Sequence, residues 1–363
     1  MPRRSRAENI PDMRHQLLRW YHRSKRDLPW RQTQDPYAIW VSETMLQQTR
    51  VAVVIERYKA FLARFPTVHA LAQAHEQDVL ALWSGLGYYR RARMLHKAAQ
   101  TIATERAGII PATALELRKL PGIGSYTAAA IASIAHGEPV AVVDGNVERV
   151  LSRIRGWESH DAAGEAAVRR KVEEFAASLV DPAHPGDFNQ AIMELGATVC
   201  TPRNPQCLVC PWAGECRTLG EHKTPKRAPM TTREMACALA VRNTRTGARV
   251  LLEQRAATSS VMSGLWELPA CNEKDVADIH PAITVRHAIM QVNYVVRVYA
   301  LSPRQIPAKA NNDALRRWVP LDEADSMALT GLARKVLAKS GLLGQSHRDS
   351  SASFAVPRTA AVL

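Results

Sequence analysis

Residues 117–137 read LRKLPGIGSYTAAAIASIAHG, and this stretch decides the fold of the larger part of the chain. Apolar residues recur at helical spacing on both sides of a Pro-Gly-Ile-Gly sequence, which predicts two helices joined by a tight hairpin. Gly122 and Gly124 can adopt positive φ and let a phosphate approach the backbone. The free N–H groups of the second helix, which begins near Ser125, would then face that anion.

The hairpin resembles a helix-hairpin-helix motif, which holds DNA through its phosphates and is indifferent to base sequence. The second helix is rich in alanine between positions 128 and 132, so a partner helix can pack closely against it. The alternative is an ordinary turn between two packed helices. The full Leu-Pro-Gly-x-Gly pattern argues against that alternative.

Four cysteines with the spacing C-x6-C-x2-C-x5-C follow the last predicted helix of this region, namely Cys200, Cys207, Cys210 and Cys216. Four thiolates within 17 residues can hold one tetrahedral metal ion or a cubane iron–sulfur cluster. The first two are too far apart for a usual zinc knuckle, and the prolines and the glycine between them suit a loop around a larger object. We therefore expect one [4Fe-4S] cluster. A zinc ion, a loop without metal and disulfides are the alternatives, and no secretory signal supports disulfides.

The composition indicates a polyanionic partner. The chain has 363 residues, a net charge of +14 and a pI near 9.8, and residues 1–31 alone hold nine Lys or Arg against three Asp or Glu. Such an excess suits nucleic acid. No stretch approaches the roughly 18–20 apolar residues that span a bilayer. We expect a cytoplasmic, monomeric protein without membrane attachment.

The sequence pattern changes after the cysteines. Helical spacing dominates from about residue 10 to 198, whereas later segments are short, apolar and β-branched, with one final helix over 330–341. We therefore predict a mainly α domain followed by a smaller α+β domain. The predicted boundaries are 1–217 for the helical domain with its cysteine loop at 200–216, 218–234 for a basic linker, 235–341 for the α+β domain and 342–363 for a disordered tail.

Two carboxylates stand out because of their surroundings. Glu43 lies in YAIWVSETMLQQTRV (37–51), where burial should raise its pKa and let it act as a general acid. Asp144 follows an apolar run at the expected N-cap of a helix, whose dipole favours the ionised carboxylate. One carboxylate of each kind suits cleavage of a glycosidic bond through an oxocarbenium-like transition state. Taken singly, Asp144 is explained by capping alone and Glu43 by pairing with an arginine.

With these residues in view, the chain resembles the MutY-type adenine DNA glycosylases, which are helix-hairpin-helix glycosylases related to endonuclease III. The matching segments cover most of residues 20–217 in the family order: LPWRQTQDPYAIWVSETMLQQTRV, GLGYYRRARMLHKAA, LPGIGSYTAAAI, VDGNVERVLSR, FNQAIMELGATVC and the four-cysteine loop. The resemblance implies that Glu43 protonates adenine at N7, that Asp144 stabilises the sugar cation and that Asn146 helps to place the attacking water.

Position 126 separates two branches of this family. Bifunctional relatives carry a lysine there, which attacks the sugar and then cuts the strand. This chain has Tyr126, and a phenol has no amine with which to form a Schiff base. We therefore expect a monofunctional glycosylase, in which Tyr126 either assists catalysis near the sugar or only packs.

The resemblance also implies a set of DNA contacts around a flipped-out base. The residues expected to line the adenine pocket are Trp30, Arg31, Leu46, Val51 and Gln190. The residues expected at the gap in the base stack are Gln48, Thr49, Leu86 and Tyr88, of which Gln48 fills the gap and Tyr88 wedges beside the opposite base. The residues expected to hold phosphate are Gly122, Gly124 and Ser125.

The second domain resembles the Nudix-like domain with which these glycosylases read 8-oxoguanine, through the segment GLWELPA (264–270). The Glu-rich helix of a hydrolytic Nudix domain is missing from ACNEKDVADIHPA (270–282), so we expect recognition without hydrolysis. Relatives often carry Phe-Ser-His where this chain has Ile289, Met290 and Gln291. Either Gln291 supplies a substitute donor or the first domain carries more of the discrimination.

Together these features predict a DNA repair N-glycosylase that removes adenine opposite 8-oxoguanine or guanine in duplex DNA. A processivity clamp or another repair protein is a possible partner. The alternatives are a bifunctional glycosylase-lyase and a DNA-binding relative without catalysis. Retention of both Glu43 and Asp144 argues against the second alternative, because binding alone needs neither.

Overall fold

The protein is described here as a computed structural model that covers residues 9–158, 162–222, 229–259, 261–289, 291–306 and 315–343. The chain divides into two compact units, one formed by Met1–Gln73 with Met94–Lys226 and the other by Ala74–Arg93 with Arg227–Leu363. Residues 74–93 thus belong to the second unit, which the sequence pattern did not indicate. The segment expected to form a disordered tail lies, from residue 344 onward, outside the described residues, as do residues 223–228 of the predicted linker.

The part of the chain before the cysteine loop is helical throughout, as predicted. Its helices are α1 (Ile10–Ser24), α2 (Pro36–Leu46), α3 (Val51–Arg64), α4 (Val68–Ala72), α5 (Glu76–Leu82), α6 (Arg90–Glu105), α7 (Ala114–Leu117), α8 (Ser125–His136), α9 (Gly145–Arg155), α10 (Ala162–Leu179) and α11 (Pro185–Thr198). Helix α5 and the first four residues of α6 belong to the second unit. Two 3₁₀ turns, Pro29–Arg31 and Cys207–Val209, complete this region.

Helix α2 is the central helix of the first unit. Asp35 caps it by accepting a hydrogen bond from the Tyr37 amide at 3.0 Å, and Pro36 is its first residue. Residues 37–45 are all buried, because the helix is apolar on every face and packs against α3 and α8. Glu43 is the one charged residue of α2, and it is therefore buried with the rest.

Helix α11 packs against both α8 and α9. These three helices carry, or are capped by, Tyr126, Asp144, Asn146 and Gln190. Close approach at the end of α11 depends on Gly196, where a Cβ would lie 2.7 Å from the Cβ of Asn146. A second hydrophobic cluster joins α1, α9, α10 and α11, and it includes the fully buried Trp212 of the cysteine loop. The Trp212 indole donates a hydrogen bond to the Met13 carbonyl at 2.9 Å, which anchors that loop to α1.

The second unit is an α+β domain, as predicted. One sheet has the order β5-β1-β7-β6, with β1 (Thr231–Leu239), β5 (Ala270–Cys271), β6 (Ile283–Ile289) and β7 (Val292–Ala300). Strand β1 is parallel to β7, and β6 is antiparallel to it. The other sheet contains β2 (Val241–Thr244), β3 (Gly247–Gln254), β4 (Trp266–Glu267) and β8 (Arg316–Pro320), followed by α12 (Leu321–Ala324) and α13 (Gly331–Lys339).

Strands β6 and β7 form a hairpin, in which Ile289 pairs with Val292 next to the turn. Gln291 is exposed at that turn, and its carbonyl accepts the Thr231 amide at 3.1 Å. Met290 lies outside the described residues. A search of the described helices for one long and apolar enough to cross a bilayer finds none.

Candidate active site and iron–sulfur loop

Glu43 is a buried carboxyl group with one strong hydrogen bond. Its side chain is 4% exposed, and the Tyr126 hydroxyl donates to its Oε2 at 2.6 Å. Burial raises the pKa of Glu43 to about 7. The hydrogen bond from Tyr126 and the charge of Arg31 lower this pKa, whereas the charge of Asp144 raises it. The prediction of a raised pKa at this position is confirmed. A carboxyl group with this pKa holds its proton in a large share of molecules at neutral pH.

Tyr126 is held in the site as a neutral hydrogen-bond donor. It lies on the first turn of α8, and its hydroxyl also lies 3.5 Å from the Met193 sulfur on α11. Burial, together with the neighbouring Glu43 and Asp144 carboxylates, raises the pKa of Tyr126 well above that of a free phenol. The side chain predicted either to assist catalysis or to pack therefore contacts the candidate acid directly.

Asp144 is the N-cap of α9, as predicted. Its side chain accepts the Val147 amide at 2.7 Å and the Asn146 side-chain amide at 2.9 Å. Two donors thus converge on one carboxylate at the positive end of a helix. The predicted partner of the attacking water, Asn146, is in direct contact with the predicted stabiliser of the sugar cation.

A short hydrogen-bond network connects Asp144 with the cysteine loop. Asn146 Oδ1 accepts from Arg149 Nη2 at 2.9 Å, and the same guanidinium donates to the carbonyls of Gly196 at 2.8 Å and Cys200 at 2.9 Å. The first cysteine of the loop and the cap of α9 are therefore fixed by one arginine. The sequence matches around VDGNVERVLSR did not by themselves indicate this function for Arg149.

The four predicted metal ligands, Cys200, Cys207, Cys210 and Cys216, line one pocket, and all four are free thiols. The disulfide alternative is therefore wrong. Among the described residues, no three Cys, His, Asp or Glu side chains are arranged to hold a single metal ion. The thiols instead surround a space whose other walls are mainly apolar, which fits a cubane cluster better than one zinc ion.

Arg153 on α9 holds the cysteine loop through hydrogen bonds. The residue is 3% exposed and donates to the Cys200 sulfur at 3.5 Å, the Thr201 carbonyl at 2.7 Å and the Pro202 carbonyl at 2.9 Å. The Leu219 amide donates to the Cys216 sulfur at 3.4 Å. N–H groups aimed at cysteine sulfur are what a cluster of iron and thiolate needs around it. The donor set therefore fits the expected cofactor, which when bound would tie the four cysteines into one rigid loop.

The hairpin before α8 corrects one detail of the prediction. Gly122 has φ 75°, and a Cβ there would lie 2.3 Å from the Met94 Cβ, so only glycine fits. The expectation of positive φ is wrong for Gly124, the N-cap of α8, which is extended with φ −85°. A Cβ at Gly124 would meet nothing within 4 Å, so open space lies in front of the first turn at Ser125. The preceding helix, α7, is a single turn.

The residues predicted to line the adenine pocket come from four elements. Trp30, which is buried, and Arg31 lie on the 3₁₀ turn that packs against α2. Leu46 ends α2 and Val51 begins α3, and both are partly buried. Gln190 is partly buried on α11.

The connection between α2 and α3 holds Gln48 and Thr49, two of the residues predicted to lie at the gap in the base stack. Gln48 is exposed with φ 55°, a left-handed conformation that a residue with a Cβ rarely adopts. Thr49 closes this turn by donating its amide to the Leu46 carbonyl at 3.2 Å. Observed strain of this kind is common where a side chain must be presented to a ligand.

Arg31 is held by a carboxylate that the sequence analysis missed. Glu194 on α11 is 1% exposed and accepts from Arg31 Nη2 at 2.7 Å, from Arg26 Nε at 2.7 Å and from Arg26 Nη2 at 2.7 Å. Burial raises the pKa of Glu194, but the hydrogen bonds from both arginines outweigh burial and hold it at about 2. The signal in the sequence was a charged residue within the apolar run AIMELGA.

Asn189 is a second missed residue. Its side chain is 1% exposed, donates to Ser133 Oγ at 2.9 Å and to the Val140 carbonyl at 2.8 Å, and accepts the Val142 amide at 3.1 Å. Two of these three hydrogen bonds therefore fix the segment that leads to Asp144. An uncharged amide beside Gln190 carried no signal of its own in the sequence.

Comparison with known proteins places these features in a family. Residues 41–177 match the HhH-GPD superfamily of base excision DNA repair proteins, and residues 200–216 match the iron–sulfur binding domain of endonuclease III. The human adenine DNA glycosylase is 40% identical over 90% of this chain and 73% of its own length. This chain belongs to the adenine DNA glycosylase family.

Other relatives agree with this assignment. The adenine DNA glycosylase of Mus musculus is 35% identical over 92% of this chain and 78% of its own length. A solved thermostable thymine-DNA glycosylase is 28% identical, with a TM-score of 0.53 over 58% of this chain and 96% of that structure. The chain is accordingly a DNA N-glycosylase of base excision repair that carries an iron–sulfur domain, and its predicted cofactor is confirmed.

Leu86 and Tyr88 belong to the second unit of this adenine DNA glycosylase family member. Leu86 is buried, whereas Tyr88 is 53% exposed and has φ 48°. Tyr89 is buried and donates to the Leu329 carbonyl at 3.1 Å, so it is a core residue. Of the two adjacent tyrosines, the one predicted as a wedge is the one presented to solvent.

Proposed function

We propose that this glycosylase hydrolyses adenine from duplex DNA where adenine is mispaired with 8-oxoguanine or guanine, and that it leaves an abasic site in an uncut strand. The pair of unlike carboxylates carries the proposal. Glu43 is buried with a pKa of about 7, and Asp144 accepts two hydrogen bonds at a helix N-terminus. A carboxyl group that can donate a proton, such as Glu43, beside an ionised carboxylate, such as Asp144, suits a positively charged transition state.

The proposed reaction begins with extrusion of the adenine nucleotide from the duplex, since the base is out of reach within the stack. Tyr126 donates to Glu43 Oε2, so the transferable proton of Glu43 is carried on Oε1. Transfer of that proton to adenine N7 allows the base to leave with the electrons of the N-glycosidic bond. Asp144 then stabilises the sugar cation electrostatically, and Asn146 orients the water that adds to C1′. The Glu43 carboxylate left by the first transfer takes up the proton that this water loses.

Tyr126 is the reason for proposing hydrolysis without strand cleavage. A lyase needs an amine that forms a Schiff base with the sugar, and the phenol of Tyr126 is occupied as a hydrogen-bond donor to Glu43. The bifunctional alternative predicts that borohydride traps a covalent complex between the protein and its DNA substrate. We expect no trapped complex.

A single-turnover assay on three duplexes tests the proposal. The duplexes hold adenine opposite 8-oxoguanine, guanine or thymine, and each reaction is analysed with and without alkali. We expect strand breaks only after alkali, formed fastest opposite 8-oxoguanine. Breaks without alkali would indicate the lyase alternative, and tight binding without breaks on any duplex would indicate a DNA-binding protein without catalysis.

A further inference from the structure

Glu194, which is 1% exposed, is a deeply buried charged group near the site, and the proposed reaction does not use it. It lies on α11, two helical turns before the cysteine loop, and its carboxylate holds Arg31 and Arg26 together. Arg26 adds its backbone amide at 3.1 Å, so four N–H groups converge on the two oxygens. An arrangement of this kind fixes a guanidinium in one orientation.

Of the two arginines that Glu194 binds, Arg31 is the one whose charge acts on Glu43. Its side chain is 10% exposed, its Nη1 donates to the Arg26 carbonyl at 3.0 Å, and its guanidinium lies 5.4 Å from the centre of the Tyr21 ring. Its positive charge also acts on Glu43 and favours the ionised form of that carboxyl. An arginine cannot lose its proton, so only a counter-ion can moderate this effect.

We propose that Glu194 is a positioning residue that orients Arg31 at the adenine pocket and balances its charge, so that the general acid Glu43 keeps its proton. The proposal rests on the proposed function. Without Glu194, Arg26, whose side chain is 39% exposed, can turn to solvent, whereas Arg31, whose side chain is 10% exposed, cannot. The charge of Arg31 would then act on Glu43 without compensation.

The other charges around Glu43 do not replace Glu194. Tyr126 on α8 is a neutral donor, and Asp144 at the cap of α9 is the partner required by the reaction. The charges that shift the pKa of Glu43 are those of Asp144, which raises it, and Arg31, which lowers it. Arg31 on the 3₁₀ turn is therefore the cation to be balanced.

Two substitutions separate charge from shape. Glu194→Gln keeps the shape of the side chain and removes its charge, whereas Glu194→Asp keeps the charge and shortens the side chain. The measurement is the single-turnover rate on adenine opposite 8-oxoguanine as a function of pH. For Glu194→Gln we expect the midpoint of the alkaline fall in rate to move down by about one pH unit, as an uncompensated cation requires. For Glu194→Asp we expect the rate to fall while the midpoint stays.

Asp187→Asn is the matched control, because it removes a carboxylate from the same helix and Asp187 pairs with His22 instead. It should leave the midpoint unchanged. Loss of rate by the same factor at every pH in Glu194→Gln would mean that Glu194 is only structural and would overturn the proposal. An unchanged profile would overturn it as well.

A double substitution covers the case in which Glu194→Gln fails to fold. Arg31→Met should move the midpoint upward, and Glu194→Gln with Arg31→Met removes both charges, which buried sites tolerate better than one uncompensated charge. The double variant should have the midpoint of Arg31→Met, because without Arg31 the loss of the Glu194 charge no longer reaches Glu43. A midpoint that remains low in the double variant would exclude Arg31 as the mediator.

A stability measurement keeps the inference separate from the proposed function. The difference in unfolding free energy between the wild type and Glu43→Gln reports the Glu43 proton even in a protein that excises nothing. Its pH midpoint should fall by about one unit when the comparison is made in the Glu194→Gln background. A wild type without excision would contradict the proposed function, and an unmoved midpoint in this second measurement would contradict the inference.

Discussion

At the scale of single residues, the candidate site combines one carboxyl that is buried with one that accepts hydrogen bonds at a helix N-terminus. Glu43 was recognisable in the sequence because it is the one charge in an apolar helix. Asp144 was recognisable because it precedes a helix after an apolar run. The hydrogen-bond partner of Glu43, however, lies far from it in the sequence, because Tyr126 is 83 residues away.

Glu43→Gln and Asp144→Asn should each lower the single-turnover rate by at least roughly 10²-fold, because each removes a group that acts only in the transition state. Binding of the mispaired duplex should persist, since neither change affects the hairpin at Gly122. Parallel rate and gel-shift measurements check this expectation. Unchanged turnover in either variant would contradict the assigned mechanism.

Glu43→Gln should also stabilise the fold at alkaline pH. The pKa of Glu43 is raised from 4.5 to about 7, so the wild type loses stability as pH rises through this interval, by on the order of 3 kcal/mol above it. Glutamine keeps the acceptor for Tyr126 and has no proton to lose. Denaturant unfolding at pH 5 and pH 8 should therefore show a gain for the variant mainly at pH 8. An equal change at both pH values would mean that the Glu43 carboxyl does not titrate in this range.

At the scale of elements, α11 organises the site. It supplies Asn189 to the segment before Asp144, Met193 to Tyr126, Glu194 to Arg31 and the Gly196 carbonyl to Arg149. The family resemblance predicts one site residue on this helix, Gln190. The other functions of α11 follow from its position between α1, α8 and α9.

Asn189→Ala should slow excision and destabilise the protein, because it leaves the Val142 amide and the Val140 carbonyl without their partner in a buried place. Each lost partner costs about 1–3 kcal/mol. Ser133→Ala is the control, since it removes one hydrogen bond of Asn189 and keeps both bonds to the segment before Asp144. Thermal unfolding and single-turnover rates should separate the two variants. Equal effects in both would mean that Asn189 only packs.

At the scale of the whole molecule, two compact units are joined in one chain. The first carries the candidate catalytic carboxylates and the iron–sulfur loop, and the second is an α+β domain that includes residues 74–93. A deletion after residue 229 would therefore leave 74–93 without the rest of their unit. Substitutions on the surface test the second unit more cleanly than truncation.

The site of the iron–sulfur cluster depends on helices of the first unit outside the cysteine loop. The loop is anchored to α1 through Trp212 and to α9 through Arg153. Purified protein should be yellow-brown and contain on the order of four irons per chain. Cys210→Ser should lose iron and lower the thermal stability, whereas Cys237→Ser in the second unit should keep the iron. Colourless protein loaded with zinc would contradict the cluster.

Gln291 is the residue of the second unit with which to test lesion readout. It is exposed at the turn between β6 and β7, where relatives often carry Phe-Ser-His. Gln291→Ala should lower the preference for 8-oxoguanine over guanine by up to about tenfold, the value of one hydrogen bond. Asn293→Ala, on the same hairpin, is the control. An unchanged preference in Gln291→Ala would favour discrimination by the first unit.

The sequence is enough to predict the helical character of the first region, the α+β character of the second, the cap at Asp144, the burial of Glu43 and the four ligands of the loop. These properties depend on residues close together in the chain, through helical spacing, capping and cysteine spacing. Only the tertiary structure decided that Tyr126 contacts Glu43 and that Glu194 holds Arg26 and Arg31, over separations of 168 and 163 residues. The physical reason is that local spacing encodes which face of a helix is buried, whereas the partner of a buried charge depends on how distant helices pack.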